Sequence, residues 1–154
     1  MAEALERAKM LLERGDGLLE EARRARSEAL QLILLAAAAE AYSASILALT
    51  PRERRRGRLC ERSTKRIFST ALMDLRRLQL VGHEEMERMK RVLQTLRCHR
   101  NRLLHPWDWC LEECNELSLR EAWSVVERLG ELARRALAIR AGRLGALRDA
   151  EETI

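Results

Sequence analysis

Residues that break helices or build sheets are scarce in this chain. Among 154 residues there are seven glycines and two prolines, and no alternating run is rich in Val, Ile, Thr or aromatic residues. The lack of such runs excludes a protein built on a β-sheet. Leu, Ala, Arg and Glu dominate instead, and all four favour helices. The sequence therefore predicts one all-α domain over residues 1–154, an up-and-down bundle of four to five helices.

The N-terminus also lacks the apolar stretch of a secretory signal, because it is charged and amphipathic. We therefore expect a cytoplasmic protein with reduced thiols. The four cysteines are Cys60, Cys98, Cys110 and Cys114. The one long apolar run, residues 30–49, includes Gln31, Glu40 and Tyr42. That polarity favours a buried core helix over a membrane span, so no membrane partner is expected.

Apolar residues recur at helical spacing along most of the chain. Gly15-Asp16-Gly17 is a candidate break after a first helix over residues 2–14, with Asp16 as the cap of the next helix. The apolar stripe also continues through Leu19 and Ala22, so one longer helix stays open. Ser118-Leu119-Arg120-Glu121 is a capping box that opens the last helix. The remaining helices are predicted over residues 18–49, 59–81, 83–104 and 118–148, with fraying from residue 149 onward.

Positive charge is concentrated in one segment. The chain has a net charge of +5, and residues 52–66 alone hold eight basic and two acidic residues. Such a patch attracts polyanions such as nucleic acid, or an acidic partner surface. A solvated helix face explains the same charges equally well. The candidate RNA-binding residues of this segment are Arg54, Arg55, Arg56 and Arg58.

The helix predicted over residues 83–104 carries an arginine within its apolar stripe. That stripe consists of Met86, Met89, Leu93, Leu96 and Leu103. Arg100 falls between its last two members, where a charge is costly unless it is paired, opens onto a polar cavity or snorkels from the helix end. Glu40 is a similar exception within the apolar run of residues 30–49. For Glu40 the favoured interpretation is a carboxylate near the edge of the core, paired with an arginine.

Arg100 also begins the most specific motif of the chain, Arg100-Asn101-x-x-x-His105. Pro106 disfavours helical geometry at His105, so this side chain should turn out of the helix. Arginine offers planar donors to a phosphate, histidine transfers protons near neutral pH, and asparagine orients a hydroxyl or a histidine tautomer. RNA supplies its own 2′-hydroxyl nucleophile, so we expect neither a metal ion nor another cofactor. A symmetric dimer would bring two histidines to one cleft.

With Asn after the arginine and Pro after the histidine, this motif resembles that of the HEPN superfamily, which also lies at the end of a long helix. The resemblance implies a helical bundle, roughly residues 18–148, that homodimerises and pairs two motifs in a composite cleft. Many members are metal-independent endoribonucleases of toxin–antitoxin, CRISPR-linked or phage-defence systems. By this resemblance Arg100 binds the scissile phosphate, Asn101 positions the nucleophile or the histidine, and His105 is the acid and base.

The same resemblance suggests supporting residues and partners. Glu40 would be a polar partner from an earlier helix, and Arg97 and Arg102 are further candidate RNA-binding residues. The expected partners are single-stranded RNA or tRNA, a second copy of the chain, and an antitoxin or larger defence complex. HEPN toxins paired with minimal nucleotidyltransferase antitoxins usually carry Tyr two residues after the histidine, whereas this chain has Trp107. The sequence therefore fits the superfamily better than that particular pairing.

Other interpretations stay open. The chain could be a non-catalytic subunit of the same fold that binds RNA or docks a protein, or a helical interaction protein that binds no nucleic acid. Cysteines and histidines around the motif are ligand types for zinc, but their spacings match no familiar site, so we expect no metal. Trp107 and Trp109 could stack on bases. Packing over an edge of the core is the favoured interpretation of both tryptophans.

Overall fold

The computed structural model describes residues 2–50, 65–107 and 113–152, and every regular element within these ranges is an α-helix. The helices are α1 (Ala2–Arg24), α2 (Glu28–Ala48), α3 (Lys65–Arg77), α4 (His83–Leu104) and α5 (Leu119–Glu152). The prediction of an all-α bundle is therefore confirmed.

The apolar helix α2 is the centre of the bundle, because it packs against each of the other four helices. Most of its residues from Leu35 to Ala48 are buried, whereas its first turns, including Leu30, are partly exposed. By length and composition alone α2 could cross a membrane, and 56% of its most apolar window is buried inside the bundle.

Contacts of α2 fix the directions of its neighbours. Ser45 near the end of α2 donates to the carbonyl of Ala8 near the start of α1, at 2.7 Å. One turn earlier, the Tyr42 hydroxyl donates to Asp16 at 2.7 Å, so α1 and α2 run antiparallel. Helix α5 joins them at the same level, because the backbone at Gly130 lies against the Tyr42 ring. Tyr42 of α2 thus contacts both α1 and α5 and joins the three helices.

The expected break at Gly15-Asp16-Gly17 is wrong, because α1 continues through it. The chain turns instead at residues 25–27, where Ser27 caps α2 by accepting the N–H of Leu30 at 3.1 Å. Glycine is required at position 15 because a Cβ there would lie 2.5 Å from the Tyr42 ring. Asp16 caps no helix, since its carboxylate accepts the hydroxyl of Tyr42 instead.

Helix α3 ends at Arg77, well before its predicted end at residue 81. The backbone N–H of Leu80 donates to the carbonyl of Leu75 at 3.0 Å, and Gln79 between them has a φ of 60°. This is a Schellman cap in which glutamine occupies the left-handed position that glycine usually takes. The apolar spacing that predicted this helix therefore continues beyond the end of the helix at Arg77. The predicted start of this helix, residues 59–64, lies outside the described ranges.

The helices on either side of the motif agree best with the prediction. The bounds of α4 match the predicted range 83–104, with Gly82 and His105 in the two capping positions. At the start of α5, Ser118 accepts the N–H of Glu121 at 3.2 Å, as the capping box requires. The fraying expected from residue 149 is not observed over residues 149–152, which are helical, and residues 153–154 lie outside the described ranges.

A buried ion pair joins α3 to α5. Asp74, which is 1% exposed, accepts hydrogen bonds from Arg140 at 2.6 Å and from the Thr50 hydroxyl at 3.0 Å. Arg140 also donates to the carbonyl of Leu49 at the end of α2. Within the described ranges, one oxygen of Asp74 and Nε of Arg140 lack a hydrogen-bond partner. Buried charges are tolerated only when they are paired and hydrogen-bonded, so Asp74 and Arg140 must stay in contact. This cluster therefore fixes how α3, α5 and the end of α2 meet.

Candidate functional site

Arg100 is held at the end of α4 by side chains from two helices. Its Nη1 donates to Glu40 of α2, while Nε and Nη2 both donate to Oδ1 of Asn101, at 3.3 and 3.2 Å. The Arg100 and Glu40 side chains are only 12% and 24% exposed. Glu40 is therefore paired with an arginine at the edge of the core, as its favoured interpretation required. This pairing is what allows a charge to occupy the apolar stripe of α4.

Arg97 adds a second positive charge one turn earlier. Burial lowers the pKa of Arg97, and the nearby charge of Arg100 lowers it further, whereas the Glu40 carboxylate acts in the opposite direction. Together Arg97, Arg100 and Glu40 carry a net charge of +1. The end of α4 thus concentrates positive charge in a partly desolvated setting, which favours an anion.

His105 stands outside α4, at the position where Pro106 predicts the helix to end. Its backbone N–H donates to the carbonyl of Asn101 at 2.9 Å. Its ring is exposed and meets Trp107 edge to face, with centroids 5.4 Å apart and an angle of 87° between the planes. No hydrogen bond within the described ranges joins the imidazole to Arg100 or Asn101. The structure therefore brings Arg100, Asn101 and Glu40 together and leaves the imidazole facing solvent.

Cys98 and Cys114 form a disulfide, so the prediction of reduced cysteines is wrong for this pair. Their Cα atoms lie 5.7 Å apart, because the chain returns to α4 before α5 begins. Beside the disulfide, Nε2 of His99 donates to the carbonyl of Asn115 at 2.7 Å. The segment before α5 is thereby fastened to the last turns of α4, next to Arg100.

The cysteines and histidines around the motif do not assemble into a zinc site where the structure describes them. Cys98 and Cys114 are bonded to each other, and His99 is engaged by a backbone carbonyl. In residues 2–50, 65–107 and 113–152, no group of three or more His, Cys, Asp or Glu side chains is placed to hold a metal ion. Cys110 lies outside these ranges.

Two side chains near the motif are more exposed than expected. Leu103 was assigned to the buried stripe but is 40% exposed, because the buried residues of α4 stop at Leu96. Trp107 is 73% exposed, so the interpretation that it packs over an edge of the core is wrong. Arg102 lies exposed in the last turn of α4. The remaining candidate residues, Arg54, Arg55, Arg56, Arg58 and Trp109, lie outside the described ranges.

Neither the disulfide nor the buried pair of Asp74 and Arg140 was predicted from the sequence. An even number of cysteines was the only signal for the disulfide, and the expected compartment outweighed it. A signal for the buried pair was present, since Arg140 follows the buried Ala136 by four residues. It extends the apolar stripe of α5 just as Arg100 extends that of α4.

Comparison of the chain with protein-family models, with curated proteins and with solved structures finds no match. The resemblance to the HEPN superfamily therefore rests on the motif from Arg100 to His105 and on its place at the end of a long helix. Membership of that superfamily stays a prediction.

Proposed function

We propose that the chain is a metal-independent endoribonuclease of the HEPN type, the toxin or effector of a toxin–antitoxin or phage-defence system. One observation carries the proposal. Arg100 is fixed by Glu40 and Asn101 at the end of α4, and His105 turns out of the same helix end into solvent. Cleavage of RNA through its 2′-hydroxyl needs a phosphate-binding cation close to a group that transfers protons, and these residue types supply both.

In the proposed reaction Arg100 binds the scissile phosphate. A guanidinium has five N–H groups, and Glu40 and Asn101 accept three of them. The other two, one on Nη1 and one on Nη2, are not taken by any acceptor in the described part of the chain. The 2′-oxygen attacks phosphorus as its proton passes to a base, and the bond to the 5′-oxygen breaks as that oxygen gains a proton. The products are a 2′,3′-cyclic phosphate and a 5′-hydroxyl.

The proposal includes a homodimer. The reaction needs a proton acceptor and a proton donor, whereas each chain has one motif histidine, so His105 of a second copy would fill the second role. Exposed apolar residues support a contact at this helix end, because Leu103 and Leu104 beside the motif are 40% and 45% exposed. A contact between two copies there would bury the leucines and bring two motifs together.

Cleavage of single-stranded RNA by the purified protein in excess EDTA tests the proposal. His105→Ala should lower the rate at least about 100-fold, the usual contribution of general acid–base catalysis, while the helical content and the melting temperature stay unchanged. His83→Ala is the matched control, because His83 accepts a bond from Arg76 at the opposite end of α4 and should not affect cleavage. RNA with a 2′-deoxy group at the cleavage site should resist. Full activity of His105→Ala would refute the proposal.

The biological role is tested by induced expression. The wild-type chain should arrest growth of its host, and His105→Ala should not. Growth arrest by both proteins would show that toxicity does not depend on His105. The cytoplasmic location and the antitoxin or defence-complex partner stay predictions.

A non-catalytic module that binds RNA or a protein is the second candidate. The observation that favours it is the ion pair between Arg100 and Glu40, since a carboxylate already neutralises the cation that a phosphate would need. This function predicts salt-dependent binding of RNA without cleavage, and loss of affinity when Arg54, Arg55, Arg56 and Arg58 are neutralised. Glu40→Gln separates the two candidates. Removal of the competing carboxylate should strengthen phosphate binding at Arg100 if Arg100 is the phosphate site, and should leave RNA affinity unchanged if it is not.

A further inference from the structure

Trp107 is the most exposed large apolar side chain within the described ranges, at 73%. An indole buries more apolar area than almost any other side chain when it packs, so leaving one in water forgoes a large stabilisation. A tryptophan in this position therefore suggests a surface that is covered only when a ligand binds. Its neighbours indicate which ligand.

The ring of Trp107 stands beside His105, with the two planes nearly perpendicular. An edge-to-face contact covers at most one face of the indole. At 73% exposure, most of the Trp107 surface is accessible to a flat partner that could stack on it. Because the contact is with the motif histidine, a partner stacked on Trp107 would lie beside His105, at the same end of α4 as Arg100.

The end of α4 that leads to Trp107 carries positive charge, whereas the acidic residues Asp108, Glu112, Glu113 and Glu116 follow it in the chain. Residues 97–107 include three arginines, Arg97, Arg100 and Arg102, and no acidic residue. Glu40 offsets one of these charges through its bond to Arg100. Among flat molecules, a nucleic-acid base is the one that comes attached to a phosphate backbone. Single-stranded nucleic acid is bound through this combination of stacking aromatics and positive charge.

The chain is fixed to α4 at described residues on both sides of Trp107. It leaves α4 through Pro106, whose ring fixes its own φ and restricts the residue before it. It returns to α4 where Cys114 bonds Cys98 and the Asn115 carbonyl accepts the His99 ring. Trp107 directly follows Pro106 and contacts the motif through the His105 ring.

We propose that Trp107 is a stacking platform for an unpaired base next to the phosphate bound at Arg100, and that the substrate is therefore single-stranded RNA. The inference rests on the proposed ribonuclease function for the identity of the phosphate site. Duplex RNA is excluded from this contact, because the faces of its bases are already stacked on one another.

Binding of a 2′-O-methyl RNA single strand tests the proposal, because this probe lacks the nucleophilic hydroxyl and is not cut. In the variant Trp109→Phe/Trp123→Phe, Trp107 is the only tryptophan. Its fluorescence should be quenched by the single strand and not by the duplex of the same sequence. Trp107→Ala should weaken binding of the single strand roughly tenfold or more, and Trp107→Phe should keep most of the affinity. Met73→Ala, which removes an exposed apolar side chain from α3, is the control and should bind as the wild type does.

Three results would overturn the inference. The first is an unchanged affinity of Trp107→Ala for the single strand. The second is Trp107 fluorescence that does not change when the single strand is added. The third is conversion of a dimer to monomers by Trp107→Ala without any quenching, which would assign the indole to a contact between copies. Cleavage is scored separately through His105→Ala. RNA that is cut without dependence of binding on Trp107 refutes the stacking platform alone. Binding that depends on Trp107 without any cleavage refutes the ribonuclease and leaves the stacking contact in place.

Discussion

Alanine at Gly15 and at Gly17, two residues apart in α1, should have opposite effects on stability. A Cβ at Gly15 would lie 2.5 Å from Cε1 and 2.6 Å from Cδ1 of Tyr42, where carbon atoms normally stay about 3.5 Å or more apart. At Gly17 the added carbon has no heavy atom within 4 Å apart from its neighbours in the chain and the backbone of its own helix. Both glycines are in the interior of the helix, so both substitutions bring the same gain in helix propensity, about 1 kcal/mol. The clash with Tyr42 is the difference between them.

The Tyr42 ring has little room to yield. Helix α5 approaches the same ring at Gly130, where a Cβ would lie 2.8 Å from Cζ, and the hydroxyl is held by Asp16 at 2.7 Å. Overpacking of a core typically costs about 1–3 kcal/mol, and two contacts this short should place Gly15→Ala at the upper end. After the gain in propensity, we expect a net loss of about 1–2 kcal/mol for Gly15→Ala and a net gain of about 1 kcal/mol for Gly17→Ala.

Urea denaturation monitored by circular dichroism measures both free energies of unfolding. Each kcal/mol should also move the melting temperature by about 2–4 °C in a domain of this size. Gly15→Ala in the background Tyr42→Leu serves as the control, because removal of the ring removes the clash and the alanine should then stabilise. If Gly15→Ala is as stable as Gly17→Ala in the presence of Tyr42, the three-helix contact around this ring is refuted.

Three further predictions concern groups that the fold buries or joins. Burial and a hydrogen bond to a carboxylate raise the pKa of Tyr42 above its ordinary value of 10.0, so the free energy of unfolding should fall as the pH rises above about 10, where only the unfolded chain releases the phenol proton. Tyrosinate absorbance follows this directly because Tyr42 is the only tyrosine, and Tyr42→Phe should abolish this part of the pH dependence. Arg140→Met should cost about 3–5 kcal/mol in denaturant unfolding because it leaves Asp74 buried without its cation, while the double variant Arg140→Met/Asp74→Leu should recover most of the loss. Cys98→Ser/Cys114→Ser should lower the free energy of unfolding by about 3 kcal/mol, since the disulfide closes 16 residues, and wild type reduced with dithiothreitol should match the variant.

Local signals predicted the elements around the motif well. The bounds of α4 depend on Gly82 before it and Pro106 after it, and the start of α5 depends on the Ser118 cap. Each of these acts through adjacent backbone groups, so no knowledge of the fold is needed. The predicted break in α1 failed because a glycine in a helix costs only about 1 kcal/mol. Contacts of the Tyr42 ring, which join three helices, outweigh that cost.

Features that join distant residues could not be read from the sequence. The disulfide between Cys98 and Cys114 depends on the return of the chain to α4, which no local pattern specifies. The exposure of Trp107 likewise depends on which elements cover the end of α4. Of the candidate site, the sequence predicted the turn of His105 and the pairing of Glu40 with an arginine, and the role of these residues in catalysis stays a prediction.

Arg100 and Arg140 show what the position of an arginine within an apolar stripe predicts and what it does not. Arg100 and Arg140 both continue the buried stripe of a helix, and each pairs with a carboxylate from another helix. Arg140 is enclosed, since it also donates to a backbone carbonyl and joins three helices. Arg100 lies at a helix end, beside an exposed histidine and an exposed tryptophan. In both cases the position within the stripe therefore predicts a paired arginine. The case for a function at Arg100 depends on His105 and Trp107. In the described part of the chain, Arg140 has no such histidine or tryptophan beside it.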